Sequence, residues 1–194
     1  MSDDIFHEPR TGKQVLEAVP GAELAMYSNL NMLAKIYGIR RLLSMMMKRS
    51  DKWIILLENP MKRGTGHWMG LRIYPERHEI HFFSTYGGKP DAEKIEWIPQ
   101  YLLEHSDQDL NVFNDGLKQL FYEGWNVHYN DHPYQFPRDG TATCGIWTAG
   151  FLNSDLNPDQ FYLYNIKNHL GAQNYFNAYF KRRNACFTTT WKTT

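Results

Sequence analysis

The sequence predicts an α+β fold, with helices packed on a central, mainly antiparallel sheet. Three observations predict it. From Glu23 to Arg49, the apolar residues Leu24, Leu30, Leu33, Ile36, Ile39, Leu42, Leu43 and Met46 fall near helical spacing. Trp53-Ile54-Ile55-Leu56-Leu57 is a near-continuous apolar run of strand length, suited to a strand buried on both faces. His67 to Tyr74 and Glu79 to Thr85 then read as two strands around the turn Tyr74-Pro75-Glu76-Arg77, because Pro75 cannot donate within a ladder.

The remaining elements follow in order. Residues 1–10 are expected to be a loose terminus. Thr11 caps a short helix through Val19, which Pro20-Gly21 ends. Gly38 divides the long helical stretch in two. The run Met45-Met46-Met47 reads as core filler, the ordinary use of a flexible thioether. Asn59 to Gly66 is a flexible loop, and Tyr86-Gly87-Gly88-Lys89-Pro90 breaks the second hairpin strand. Residues 92–105 and 114–122 are predicted helical. Asn126 to Tyr129 is a short strand, followed by a Pro-punctuated loop from Asn130 to Gly140. Cys144 to Leu152 is a buried helix, Asn157 to Arg183 holds one or two more, and 188–194 is a weakly ordered tail. No repeat and no long linker divides the chain, so residues 1–194 are expected to form a single domain.

Bulk properties exclude several classes. Lys+Arg and Asp+Glu both number 21, so no global charge draws the chain to nucleic acid or membranes. A hydrophobic content of 42% with 15% aromatics describes a folded protein rather than a disordered one. Cys144 and Cys186 fit no disulfide framework and no zinc ribbon, which points to a reducing compartment. Met1-Ser2-Asp3-Asp4 is acidic and opens no apolar secretory segment. No stretch offers about 18 uninterrupted apolar residues, so no membrane span is expected.

The chemistry centres on Cys144. With Thr141 or Thr143 capping the helix that follows, Cys144 sits in the first turn, where exposed N–H groups and the helix dipole favour a thiolate. The alternative is a buried core cysteine, the commonest fate of a free thiol. Gly66-His67-Trp68 opens a strand behind a flexible loop, which places His67 best of the eight histidines for a cleft. If Tyr74 pairs with Arg77 across the hairpin, His67 pairs with Ser84 on the same face. Gln135 lies nine positions before Cys144 in an irregular loop. Its amide there is able to donate to an oxyanion, with the Cys144 backbone N–H as second donor. Metal is not expected. His78 and His81 are placed on opposite faces of a strand, and His128 and His132 lack a third ligand. No other cofactor is implied.

Taken in order, these residues carry a resemblance. Tyr27-Ser28-Asn29-Leu30, the apolar strand from Trp53 to Glu58, Gly66-His67-Trp68, Phe83-Ser84-Thr85-Tyr86-Gly87, Tyr129-Asn130, Gln135 and Thr143-Cys144-Gly145 are similar to the ordered motifs of the adenovirus-protease family of cysteine peptidases. That group includes the SUMO-specific proteases. Within it, the likeness is to the capsid-maturation proteases of virophages and Maverick/Polinton elements, and it covers about residues 26 to 152.

The resemblance implies a papain-like, adenain-like fold and a viral cysteine endopeptidase that cleaves capsid and virion precursor proteins. Cys144 would be the nucleophile and His67 its ion-pair partner and proton donor. Gln135 would stabilise the oxyanion. Trp68 and Gly145 would bind substrate, Trp68 as one wall of an aromatic tunnel that favours small residues at the cut. The family's third member is usually Asp, Glu or Asn, and here Ser84 stands in its place. Ser84 is read as orienting His67 directly or through water. A distant acid, Asp91 or Asp131, and a weakly active or activation-dependent protein are the alternatives. The implied setting is the virion or infected cell, with no membrane partner and a monomeric chain. Lys181-Arg182-Arg183 reads as a solvated helix end, with a weak DNA contact as the other reading, and Cys186 as structural or simply free. The competing functions are a protease for ubiquitin-like modifiers, an acyltransferase on the same scaffold, and a pseudoprotease that binds capsid proteins.

Overall fold

The computed structural model describes residues 10–62, 64–92, 94, 98–106, 108, 111–135 and 142–167. Thr11 begins α1 (Gly12–Glu17) with a reciprocal cap. Its hydroxyl accepts from the Gln14 backbone N–H, and the Gln14 side chain accepts from the Thr11 N–H. The next segment corrects the sequence reading. Glu23–Met26 forms a strand, β1, in place of the first helical turn. It pairs in parallel with β2 (Lys52–Glu58). Four residues are too few for helical spacing to outweigh a ladder partner. The helical run then continues as α2 (Tyr27–Tyr37) and α3 (Ile39–Met47), divided at Gly38, whose φ of +77° is a conformation that residues with a Cβ rarely adopt.

After β2 come β3 (Gly66–Tyr74), β4 (Glu79–Ser84), α4 (Gln100–His105), α5 (Val112–Tyr122), β5 (Asn126–Tyr129), α6 (Cys144–Asn153) and α7 (Pro158–Lys167). Residues 1–9 and 168–194 lie outside the described residues, and with them the expected loose tail 188–194, Cys186, Lys181-Arg182-Arg183 and all of the expected loose terminus 1–10 except Arg10, which is buried. Part of the helix expected over 92–105 does so too.

The strands form one sheet in chain order, β1-β2-β3-β4-β5. The central three are antiparallel, whereas β1 runs parallel to β2 and β5 parallel to β4. The α+β class stands, but the sheet is mixed. Parallel neighbours need a crossover connection. Here α2 and α3 supply it at one edge, and the segment bearing α4 and α5 at the other.

Helices cover both faces. Trp53, Ile55 and Leu57 of β2 enter the core made with α2, α3 and α5. Ile54 and Leu56 enter the core made with α1, α6 and α7. This is why β2 is apolar at every step, since strict alternation marks a sheet with only one covered face. On β3, Met69, Leu71 and Ile73 face the first core and Trp68 the second. Gly70 lets α6 approach closely, because a Cβ there would lie 3.3 Å from Leu152 and Phe151 side-chain atoms.

The hairpin register also differs from expectation. Tyr74 pairs with Glu79, and Met69 rather than His67 pairs with Ser84. Pro75–Arg77 form a single 3₁₀ turn, and His78 follows in the left-handed region at φ +48°. That extra length moves the pairing by two residues. A two-residue shift preserves the face on which each side chain lies. Among the described residues no helix is long and apolar enough to cross a membrane.

Candidate active site

Cys144 is the first residue of α6 and is 9% exposed. Every residue from Cys144 to Leu152 is buried, so this helix runs through the second core with no polar face. No acidic residue sits in its first turn to compete for the dipole's positive end. Thr143 is the N-cap residue but makes no side-chain cap. Its hydroxyl donates instead to Gln135 Oε1 at 2.5 Å. Thr141 lies outside the described residues.

Successive turns of α6 are fixed along β3. Thr148, one turn after Cys144, donates from Oγ1 to the Trp68 carbonyl at 3.0 Å. Leu152, one turn further, accepts from Arg72 Nη2 at 3.1 Å. Helix and strand therefore advance in the same direction, and the turn holding Cys144 falls at the His67 end of β3.

His67 is 1% exposed. Its Nε2 lies 3.0 Å from Ser84 Oγ, and its ring stacks on Tyr86 with centroids 4.0 Å apart and planes 15° from parallel. Ser84 is itself clamped. Its N–H donates to Asn130 Oδ1 at 3.0 Å, while Asn130 Nδ2 donates to the Ser84 carbonyl at 2.6 Å. The Tyr86 N–H donates to Ser84 Oγ at 3.2 Å. Next along the chain, the Thr85 carbonyl accepts from the Tyr134 and Gln135 N–H groups at 2.7 and 3.2 Å. A continuous linkage thus runs from His67 through Ser84 and Thr85 to Gln135, then through Thr143 to Cys144.

Burial pushes the His67 pKa from its usual 6.5 down to about 3, so the ring is neutral at neutral pH. The two distant acids are committed elsewhere. Asp91 takes the Tyr27 hydroxyl, Lys94 Nζ at 3.1 Å and the Asn114 N–H at 3.0 Å. Asp131 is solvent-exposed and lies 3.5 Å from His132 Nε2. Ser84 is the side chain that meets the His67 Nε2 edge.

Trp68 and Gly145 both pack against the N-terminal segment. The Trp68 indole N–H donates to the Arg10 carbonyl at 2.9 Å. A Cβ on Gly145 would lie 3.0 Å from Val15 Cγ2 and 3.1 Å from Arg10 Cβ.

Three supporting residues escaped the sequence reading. Asn130 was visible as half of a Tyr-Asn motif, Thr143 as a cap and a motif neighbour of Cys144, and Tyr86 as a strand breaker within the Ser84 motif, none of them with a supporting role. The signal for Tyr86 was its alternation: it lies two residues after Ser84 and so on the His67 face. His78 stacks on Trp125 and His132 on Tyr162. His81 instead meets His128 across the β4–β5 ladder.

No protein-family model matches the sequence, and no curated protein matches it. Among solved structures the chain is similar to the SUMO protease Ulp1 with its catalytic cysteine oxidized to a sulfenic acid. That match has 15% identity over 86% of this chain and 74% of that one, with a TM-score of 0.33. It is also similar to the C-terminal Ulp1 protease domain in complex with Smt3, the yeast ortholog of SUMO. There the identity is 19% over 71% of this chain and 57% of that one, again with a TM-score of 0.33. Both likenesses are loose.

Proposed function

We propose that the protein is a cysteine endopeptidase of the adenovirus-protease and SUMO-protease group, cleaving capsid precursor proteins during virion maturation. The observation that carries this reading is the Thr143–Gln135 hydrogen bond at the start of α6. With Oε1 taken by the Thr143 hydroxyl, the Gln135 amide has its N–H groups to offer to an oxyanion. The ordered motifs from Tyr27 to Gly145 support the same reading.

The mechanism follows from this chain's own groups. The step uses the His67 tautomer whose Nε2–H donates to Ser84 Oγ and whose lone pair is therefore on Nδ1. As Cys144 Sγ attacks the scissile carbonyl, Nδ1 takes the thiol proton. The carbonyl oxygen becomes an oxyanion held by Gln135 and the Cys144 N–H. The imidazolium then returns its proton to the leaving amine as the C–N bond breaks, giving a thioester, and water hydrolyses it by the same steps. The buried, uncharged setting of His67 favours a resting thiol–imidazole pair over the ion pair that the resemblance implies. Each turnover then includes the cost of charging that pair.

The test is co-expression with the virus's own capsid precursors, comparing wild type with Cys144→Ala by intact mass. Fragments present only with the wild type are expected. Full processing by Cys144→Ala would refute the assignment. A ubiquitin-like modifier bearing a C-terminal electrophile tests the other substrate class, since adduct formation at Cys144 would favour a modifier protease. One observation favours a binding module instead: Ser84 gives His67 no charge. Capsid binding with no thiol labelling at Cys144 would select that reading.

A further inference from the structure

Outside the candidate active site, one cluster assembles metal-ligand chemistry. Glu79 and His81 alternate on one face of β4, the face toward α6 and opposite to that of Ser84. The parallel register sets His128 of β5 beside His81. One ligand atom from each of the three lies within 4.8 Å of the other two. His81 Nε2 is 2.5 Å from Glu79 Oε1, and His128 Nε2 is 3.5 Å from the same oxygen.

We propose that Glu79, His81 and His128 form a three-ligand site for a divalent transition-metal ion of the zinc class. Two imidazoles and one carboxylate are a donor set that zinc accepts, with the fourth position open to water. Tetrahedral ligands at zinc bond lengths of about 2.0–2.1 Å stand about 3.3 Å apart. The His128–Glu79 separation already matches that spacing, and the His81–Glu79 pair must open by less than about 1 Å. The proton shared between His81 and Glu79 leaves to solvent as the metal takes its place.

The surrounding charges permit this. Arg77 Nε holds the other carboxylate oxygen, Oε2, at 3.3 Å, which leaves Oε1 directed at the histidines. Arg72, the cation cross-strand from His81, is turned toward the Leu152 carbonyl at 3.1 Å and Asp155 at 3.6 Å. His81 is buried against Tyr74 and Phe151, whereas the His128 ring is 33% exposed, so an ion has an approach from solvent. Bound there, the ion would pin the edge strand β5 to β4.

The test uses tag-free, chelator-stripped full chain carrying Cys144→Ala and Cys186→Ser, so that neither thiol competes. Zinc is titrated by calorimetry and cobalt by its visible absorption. One equivalent is expected, with affinity falling as the pH drops and the histidines protonate. Glu79→Gln and His128→Ala each weaken binding at least about 10- to 100-fold, the scale on which even outer partners of metal ligands act. His128 is partly exposed, so its variant folds and decides the matter. Saturating zinc raises the melting temperature of the parent but not of either variant. Absence of one-equivalent binding, or binding that survives both substitutions, overturns the proposal.

Discussion

Ser84 grips His67 across the hairpin on a diagonal. The two are not register partners, since Met69 stands opposite Ser84, yet Oγ and Nε2 are 3.0 Å apart. A hydroxyl in this position orients the ring but does not stabilise its charge. We therefore expect Ser84→Ala to lower kcat/KM by less than about 100-fold, against about 10⁴-fold for a charged third member elsewhere. Cys144→Ala should abolish cleavage. Single-turnover assays on a capsid peptide check both, and equal losses would show that Ser84 does more than orient.

The Gln135–Thr143 contact makes a second prediction. Gln135→Ala should lower kcat by about 10²- to 10³-fold, the usual cost of one oxyanion donor. Thr143→Val keeps the donor but releases its anchor, so its effect should be smaller, about 10-fold. The double variant should resemble Gln135→Ala alone, because both act through one contact. Additive losses would separate the two residues.

The buried His67 sets a pH dependence of stability. Its folded pKa is about 3, below the 6.5 of an unfolded chain. Between those values the unfolded state binds the extra proton, so stability is full above about pH 6.5 and declines as the pH falls toward 3. His81, lowered chiefly by burial, acts in the same direction. Urea midpoints measured from pH 7.5 to 4 should fall, and fall less steeply in His67→Asn. An identical slope in that variant would remove His67 from the account.

Tyr86 contributes to the same effect by covering the ring. Tyr86→Ala should hydrate His67 and move its pKa up toward 6.5, followed by imidazole proton shifts in an NMR titration. An unmoved titration would place the cause of the burial elsewhere.

Gly116 offers a control far from the site. A Cβ there would sit 2.6 Å from Ile39 Cβ, an atom fixed on its backbone. Gly116→Ala gains about 1 kcal/mol of helix propensity. The clash between α5 and α3 costs about 1–3 kcal/mol, so net destabilisation with unchanged cleavage is expected. Chemical denaturation beside the peptide assay reads both.

Much of this was legible in the residues, because it depended on local pattern. The unbroken apolar run of β2 announced a strand covered twice. Thr11 and Gly38 marked a start and a break, and Cys144 fell at the first turn of its helix. What escaped depended on partners distant in sequence. Glu23–Met26 is a strand only because β2 lies beside it. The His67–Ser84 contact was anticipated from a pairing off by two residues, and it survived because strand parity was right. Asn130 and Tyr86 acquire their roles only once the loops have closed around Ser84.

Arg10 joins the two ends of the candidate machinery. Its carbonyl receives the Trp68 indole, next in the chain to His67, and its side chain fills the space that Gly145 leaves, next in the chain to Cys144. Arg10 is thus masonry shared by both sides of the candidate site. Losing Arg10 would therefore disturb the surroundings of Trp68 and Gly145 together.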